Sequence, residues 1–431
     1  MKALGLDIGT TTVSAVVVEN KRVLSSLTLK NDSFLPTDHP WEKIQDPAYI
    51  RATALQAVET LLKKYPDIQR IGVTGQMHGI VYLDDAGNPV SPLYTWQDGR
   101  GDQLYVEGKT YAAYLSELTG YPLATGFGMV THFYNLKNDL VPENAVVFCT
   151  IHDYIAMLLA DNTVPITDAS DAASFGIFQV AQGCFDKEKM NKADIDLDML
   201  PVLAENACIG HYNERIPVYV AIGDNQASFL GATDGDIHTM LVNVGTGSQF
   251  SVYTKDYMTC PGLETRPFPG GYLLVGASLC GGRAYALLEK FFEDTVSAVT
   301  GTVADSCYDV MNKLLSEGRP ADVPTLIPLF QGTRQDPSLR GSITGLSTEN
   351  FTPRHLLWAM LEGMTKELHD MYLQYLNAGG NTVKFIGSGN GLRKNLHLQG
   401  CFTQLFGQYL TMSDCTEEAA TGAALFAEQY S

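Results

Sequence analysis

The sequence predicts an α/β protein of two domains, each built on a strand-turn-strand hairpin whose bend is rich in glycine and hydroxyl side chains. Three observations carry this. Leu4 to Val16, LGLDIGTTTVSAV, sets a polar bend from Asp7 to Thr12 between apolar runs at Ala3 to Leu6 and Val13 to Val18. Met240 to Tyr253, MLVNVGTGSQFSVY, repeats the device half a chain later. At 431 residues, 45% apolar and 18% charged, the chain is long enough for two or three domains with a substantial core each.

Met1 to Asn31 reads as the first hairpin and a third strand. In its bend Gly9 permits close backbone approach, the following N–H groups can form an anion nest, and Thr10, Thr11 and Thr12 add hydroxyl donors. Asp7 can hold a metal ion through water. One such bend alone is an ordinary tight turn; two facing copies can clamp a triphosphate from both sides. No G-x-x-x-x-G-K-[ST] occurs, so a P-loop is excluded.

A net charge of −19 argues against nucleic acid or an anionic membrane surface as partner, since both need a basic footprint. A polyanionic ligand must then meet locally supplied N–H groups and a cation. The eight cysteines are dispersed without a C-x-x-C pair, which reads as free buried thiols in a reducing compartment and implies no zinc site. Asp7 interrupts what a signal peptide would need as an apolar core, and no run of eighteen apolar residues follows. A cytoplasmic protein is expected.

Further along, Ala52 to Lys64 has helical spacing and Arg70 to Thr74 reads as a strand. GQMHG, Gly75 to Gly79, follows that strand directly, where α/β folds place ligands, so Gln76, Met77 and His78 are candidates for substrate contact. A lone histidine is more often a satisfied core residue; the flanking glycines favour function here. In TWQDGR, Thr95 to Arg100, Trp96 offers an apolar face while Gln97, Asp98 and Arg100 offer directional hydrogen bonds, the mixture a polyhydroxylated ligand requires. A solvated Asp-Gly turn is the alternative. ATGFG, Ala124 to Gly128, comes next. In CTIHDY, Cys149 to Tyr154, Thr150 and Asp153 read as a capping pair, which leaves His152 and Asp153 as readily structural as functional. In SDAASFG, Ser170 to Gly176, Asp171 either caps backbone or meets a sugar hydroxyl.

Ile216 to Ile222 is an apolar strand ended by Gly223 and Asp224, before the small-residue helix Asn225 to Gly231. A carboxylate at this junction sits where a cleft would close; its competing role is that of a helix N-cap. The boundary between the domains falls here, giving 1–233 and 234–431. In the second half, Tyr272 to Ala277 reads as a strand and Ser278 to Glu289 as a helix whose start, with Gly282, could face an anion. Val296 to Arg319 is partly amphipathic, and Pro324 to Ser347, with Gln331, Arg334, Asp336, Pro337, Arg340 and Gly341, reads as a long loop. Phe351 to Leu376 carries a helical core pattern at Leu356, Leu357, Met360, Met364 and Leu368. The strand Val383 to Ile386 runs into GSGNGLRKN, whose glycines would let a base or ribose lie against bare backbone. Its spacing fails the dinucleotide pattern G-x-G-x-x-G. Glu417 to Gln429, EEAATGAALFAEQ, reads as a close-packing helix and a second interdomain connector.

The order DIGTTT, GQMHG, TWQDGR, GDNQAS, NVGTGS, GSGNG and EEAATGAAL resembles the FGGY family of carbohydrate kinases along nearly the whole chain. TWQDGR, ATGFG, TIHDY, SD-x-A-S-x-G and GASL-x-GG are particularly similar to the group of that family acting on sedoheptulose. The resemblance implies two ribonuclease-H-like, actin-like ATPase domains with a nucleotide cleft between them. It implies ATP and Mg²⁺, with Asp7 holding the metal through water, and Gly9, Thr10, Thr11, Thr12, Gly245, Thr246, Gly247 and Ser248 cradling phosphates. Gly387, Ser388, Gly389 and Asn390 would border the adenosine. Gln76, Met77, His78, Trp96, Asp98 and Arg100 would line a sugar pocket, and Asp224 matches the catalytic base. The implied partner is a small-molecule sugar, with a homodimer as a compatible assembly. The chain departs from the family where a loop usually reading E-R-T-P is GTRQDP, which weakens a role for Arg334, and it is shorter than most relatives.

Overall fold

The structure, a computed structural model, describes residues 1–205, 207–303, 306–333, 336 and 338–429. Arg334 and Pro337 of the long loop lie outside the described residues. Two compact units emerge: Met1–Asp236 with Arg266–Gly270 and the chain from Cys415 onward, and Ile237–Thr265 with Gly271–Asp414.

In the first unit β1 (Lys2–Ile8), β2 (Thr12–Glu19) and β3 (Arg22–Lys30) form an antiparallel meander. Helix α1 (Pro47–Lys64) leads into β4 (Arg70–Gly75), which lies parallel to β1. Helix α1 starts earlier than its apolar spacing suggests, because Asp46 caps it by accepting from the Ala48 N–H and Pro47 sits at its first turn. Then come α2 (Gly128–Lys137), α3 (Ile151–Leu159) and α4 (Ala169–Phe175), followed by β5 (Cys208–Tyr212), β6 (Ile216–Tyr219), β7 (Ile222–Gly223) and α5 (Asp224–Ala232). The main sheet runs β5-β6-β4-β1-β2-β3, with β7 also paired to β4.

Strands β1 and β2 are almost wholly apolar because both faces of the sheet are covered. Leu4, Leu6 and Ile8 alternate onto the face packed with Ile50, Ala54, Val58 and Leu61 of α1. Ala3, with Val16 and Val18 of β2, packs on the other face with Ala420, Ala424 and Leu425 of the C-terminal helix, Glu418–Gln429. The same alternation puts Asp7 on the face of Ala3 and Gly5.

The C-terminal segment packs with the first unit, so the two compact units do not coincide with the halves 1–233 and 234–431. The physical reason is close backbone packing. A Cβ on Gly5 would stand 1.8 Å from the Ala420 carbonyl oxygen, and one on Gly72 would stand 1.9 Å from that of Ala423.

The second unit repeats the meander. Strands β8 (Thr239–Val244), β9 (Ser248–Thr254) and β10 (Gly271–Ser278) are antiparallel, while β11 (Lys384–Ser388) pairs parallel to β8 and β12 (Thr411–Met412) parallel to β11. Both units thus place a three-stranded meander beside a strand parallel to its first member, the duplication anticipated from the two hairpins. Helix α6 (Gly282–Thr300) and the 25-residue α7 (Pro353–Asn377) cover this sheet's core, with Leu357, Met360, Met364 and Leu368 of α7 buried as their spacing predicts. The segment expected as a loop from Pro324 to Ser347 contains a short antiparallel pair, Thr325–Ile327 with Ser342–Thr344.

Candidate active site

The bend between β1 and β2 is anchored through its carbonyls. Ile8 O accepts from the Gln76 N–H (2.9 Å), Gly9 O from Asn31 Nδ2 (2.8 Å), Thr10 O from Gln45 Nε2 (2.8 Å) and Thr11 O from the Asn31 N–H (2.8 Å). In a trans peptide the N–H points opposite its carbonyl, so the amides of Thr10 and Thr11 are turned away from these anchors. Burial, then the nearby Asp224 and Glu417, push the Asp7 carboxyl up to about 7. A carboxylate so crowded by negative charge suits a divalent cation, which would relieve the repulsion. Among the described residues, no three His, Cys, Asp or Glu side chains form a metal-holding group, so a cation here would be carried largely by water and ligand oxygens.

Gln76 leaves the carboxyl end of β4 into a side-chain network. Trp96 Nε1 donates to Thr10 Oγ1 (3.1 Å), Thr10 Oγ1 donates to Gln76 Oε1 (3.2 Å), and Gln76 Nε2 donates to Gln45 Oε1 (2.8 Å). Gln76 is 4% exposed whereas the Trp96 ring is 46% exposed, so the network runs from a buried amide to an open aromatic face. Gln45 escaped the sequence reading, since it sits on a two-residue strand, Ile44–Gln45, that carries no motif.

His78 lies in the left-handed region at φ 74°, sparsely populated for a non-glycine residue. Its ring stacks on Phe127 at 4.6 Å and its Nδ1 is 2.7 Å from the Ser174 carbonyl oxygen. A carbonyl only accepts, so Nδ1 carries a proton in this contact. Met77 is buried, its thioether packed where a side chain on Gly223 would otherwise stand.

Asp98 and Arg100, expected in the sugar pocket, are taken up by one another. Asp98 Oδ1 accepts from the Arg100 N–H (3.1 Å) and Nε (2.6 Å), and Oδ2 accepts from the Lys43 N–H (3.0 Å). Arg100 also donates to Asn135 Oδ1 and lies 4.0 Å from the Tyr94 ring centroid. Both side chains are buried, and a buried ion pair is tolerated only with its remaining valences satisfied in this way. Their role is to fix the turn that presents Trp96.

Asp224 opens α5. The N-cap is Gly223, with no side-chain bond closing the first turn, so the carboxylate does not serve as the cap that competed with a functional reading. Gly223 is held by its N–H donating to Ser170 Oγ (3.1 Å), and Ile222 O by the Thr74 hydroxyl (2.6 Å). Burial raises the Asp224 carboxyl above its usual range, opposed by His152 and Arg266. Behind it lies a pair the sequence left ambiguous: His152 Nε2 approaches Asp171 Oδ1 at 2.9 Å, without the alignment of a full hydrogen bond, and both are fully buried. Burial pushes the imidazole down and the carboxyl up.

Asp153 is capped as expected, its N–H donating to Thr150 Oγ1 (3.0 Å), but its carboxyl is buried and pushed up to about 8 by desolvation and then by Asp171. Its proton therefore binds more tightly in the folded than in the unfolded chain. The resulting stability is full below 3.8 and lost as pH rises through about 8. Asp153→Asn escapes that loss, so its stability advantage over the parent grows across this window, by at most about 1.4 kcal/mol per pH unit. Urea denaturation at pH 5, 7 and 9 measures it; parallel stability profiles would contradict the assignment.

In the second unit the Gly245–Ser248 bend is braced from below. The Gly282 N–H donates to Gly245 O (2.8 Å) and the Arg283 N–H to Thr246 O (3.0 Å). The start of α6, expected to face an anion, thus gives its first two amides to the bend. At the end of β11, Asn243 Nδ2 donates to Ser388 Oγ (2.7 Å), which is fully buried. Gly389 adopts φ 87°, and a Cβ there would stand 2.5 Å from Val244 O. Packing of the chain on itself therefore accounts for this glycine without a nucleotide, and Asn390 begins a short helix, Asn390–Arg393.

Two duplicated meanders with hydroxyl-rich bends, and a carboxylate beside the first, define the class: an actin-like α/β fold with the parts of a phosphotransferase. Comparison makes this specific. Residues 2–231 match the N-terminal domain, and residues 240–428 the C-terminal domain, of the FGGY family of carbohydrate kinases. The chain belongs to that family and is an ATP-dependent sugar kinase. It is 28% identical to the sedoheptulokinase of Mus musculus, over 98% of this chain and 96% of that one. It is 26% identical to the xylulose kinase of Staphylococcus xylosus, over 98% and 90%. The solved xylulose kinase of Rhodospirillum rubrum superposes with a TM-score of 0.83 at 23% identity, covering 99% of this chain and 90% of that one. No helix among the described residues is long and apolar enough to cross a membrane.

Proposed function

We propose that this kinase transfers the γ-phosphoryl group of ATP to the terminal primary hydroxyl of a ketose, with sedoheptulose the preferred substrate and a pentulose such as xylulose second. The observation that carries the reading is Asp224: a carboxylate at the mouth of a strand-helix junction, unused as a cap, raised above its usual range by burial and close enough to Asp7 to perturb it. Such a group is placed to accept the hydroxyl proton during transfer. Trp96 offers an open face against which a sugar can stack, and Gln76 and His78, which follow the end of β4, are the neighbouring candidates for directional contact.

Phosphoryl transfer is mainly positioning and charge stabilisation. Thr10 and Thr11 would supply N–H donors, and Thr11 its hydroxyl, to phosphate oxygens, and the Gly245–Ser248 bend a second set, with Gly387–Asn390 toward the adenosine. Asp7 would hold Mg²⁺ through water, and the ion would supply neutralisation of phosphate charge. Asp98 and Arg100, buried and bonded to each other, keep the Trp96 turn in place. The order of preference rests on the identities of 28% to the sedoheptulokinase and 26% to the xylulose kinase.

The test is a coupled ADP-release assay across sedoheptulose, xylulose, ribulose, gluconate and glycerol. The expected result is stimulation by ketoses, largest kcat/KM for sedoheptulose. A larger kcat/KM for a pentulose would reverse the order, and release stimulated only by gluconate or glycerol would exclude a ketose substrate.

A further inference from the structure

The bonds joining Trp96, Thr10, Gln76 and Gln45 form a circuit with one direction. An indole N–H can only donate and a backbone carbonyl can only accept, so the two ends of the chain are fixed: Trp96 Nε1 at the start, Thr10 O at the finish. Between them every group has one orientation. The Thr10 hydroxyl accepts from Trp96 and gives its proton to Gln76 Oε1; the Gln76 amide then donates to Gln45 Oε1; the Gln45 amide donates back to Thr10 O. Turning over Gln45 would oppose its oxygen to the Thr10 carbonyl, and turning over Gln76 would oppose two amide oxygens. The circuit is therefore polarised as well as closed, a setting in which successive bonds reinforce one another.

Its geometry joins two places of different use. Thr10 belongs to the bend assigned to phosphate, while Gln76 and the exposed ring of Trp96 belong to the side assigned to sugar. Gln45 touches neither open face. It is 0% exposed, and its two-residue strand pairs with Leu93–Tyr94, immediately before Trp96. The Gln45 amide thus links the hairpin bend to the end of β4, while its backbone pairs beside the strand that runs into the Trp96 turn, and it is the only one of the four bonded to both Gln76 and the Thr10 carbonyl in the network described.

We propose that Gln45 is a positioning residue that couples occupancy of the sugar side to the phosphate-facing bend, so that sugar binding and nucleotide binding strengthen each other. The inference rests on the kinase reading above and names the side chain through which its two substrates communicate. Contact of a sugar with Trp96 and Gln76 restricts those side chains, which restricts the Thr10 hydroxyl and, through Gln45, the Thr10 carbonyl. By linkage the coupling is reciprocal: nucleotide raises sugar affinity by the same factor as sugar raises nucleotide affinity.

The experiment measures affinity for a non-hydrolysable ATP analogue by titration calorimetry, with Mg²⁺, with and without saturating sugar, in the parent, Gln45→Met and Trp96→Phe. Methionine nearly keeps the volume of glutamine and removes both bonds; phenylalanine removes the indole N–H. The parent is expected to show coupling of about fivefold or more, reduced to within about twofold in Gln45→Met, with sugar KM raised more than kcat is lowered. The double variant should lose no more coupling than Gln45→Met alone, since both cut one circuit. A folded Gln45→Met enzyme with parental coupling overturns the proposal, as does a parent with none. Should Gln45→Met fail to fold, Thr10→Val, at a more exposed position of the same circuit, carries the same expectation. The outcomes separate from the functional reading: sugar-stimulated ADP release without coupling leaves the kinase assignment standing and removes only this inference.

Discussion

Asp224→Asn is expected to lower turnover by about 10²–10⁴-fold while affinity for an ATP analogue stays within about twofold of the parent. The amide matches the carboxylate in size and can still receive a hydrogen bond from a sugar hydroxyl, but it cannot take the proton. Burial raises the parent carboxyl above its ordinary range, which makes it a stronger base than a solvated aspartate, and His152 and Arg266 keep part of its ionised form. The backbone at this point is fixed without the side chain, by Ser170 on the Gly223 N–H and Thr74 on the Ile222 carbonyl, so the variant is expected to fold. Removing a charge beside Asp7 also eases the burden on that carboxyl, which makes weakened nucleotide binding an unexpected outcome. Steady-state ADP release and calorimetric titration of the analogue measure the two effects separately. Near-parental turnover would remove Asp224 from the chemistry; equal loss of turnover and analogue binding would assign it to holding nucleotide.

The hairpins and their repetition were legible because apolar alternation and a glycine-threonine bend are local signals. The C-terminal helix was legible as a helix but not as part of the first unit, because its destination depends on Gly5 and Gly72, more than 340 residues away in the chain, accepting its backbone. Asp98 and Arg100 illustrate a second limit. Their residue types suit a polyhydroxylated ligand equally well as they suit each other, and the 2.6 Å bond between them could not be read from their spacing. Gln45 shows a third: a single amide on a two-residue strand has no spacing to read, and its meaning arises from Thr10 and Gln76 meeting it in space. His152 read as readily structural as functional and Asp171 as a backbone cap or a sugar contact, and it is their joint burial beside Asp224 that gives them weight.

Gly422→Ala is expected to destabilise the protein, against the usual effect of that substitution. In an unobstructed helix the exchange gains about 1 kcal/mol, because glycine loses more backbone freedom on folding. At Gly422 the new methyl carbon would stand 1.7 Å from the Ala227 carbonyl oxygen of α5, and nothing flexible is there to move aside. The contact is mutual, since a Cβ on Gly231 of α5 would stand 1.9 Å from the Glu418 carbonyl oxygen. Helices that meet backbone to backbone at both points can admit a methyl group only by separating, and overpacking of this kind costs about 1–3 kcal/mol or more. The steric loss exceeds the propensity gain, and separation would also disturb the Gly5 and Gly72 contacts with the same helix, so the net change lies at the upper end of that range. Gly400→Ala supplies the control. Gly400 lies in the helix Leu396–Phe406 with nothing within 4 Å of its added Cβ, so alanine should stabilise there by up to about 1 kcal/mol. Thermal unfolding of the two variants beside the parent should give shifts of opposite sign. Two upward shifts would mean that the C-terminal helix is not held against α5 as closely as its glycines indicate.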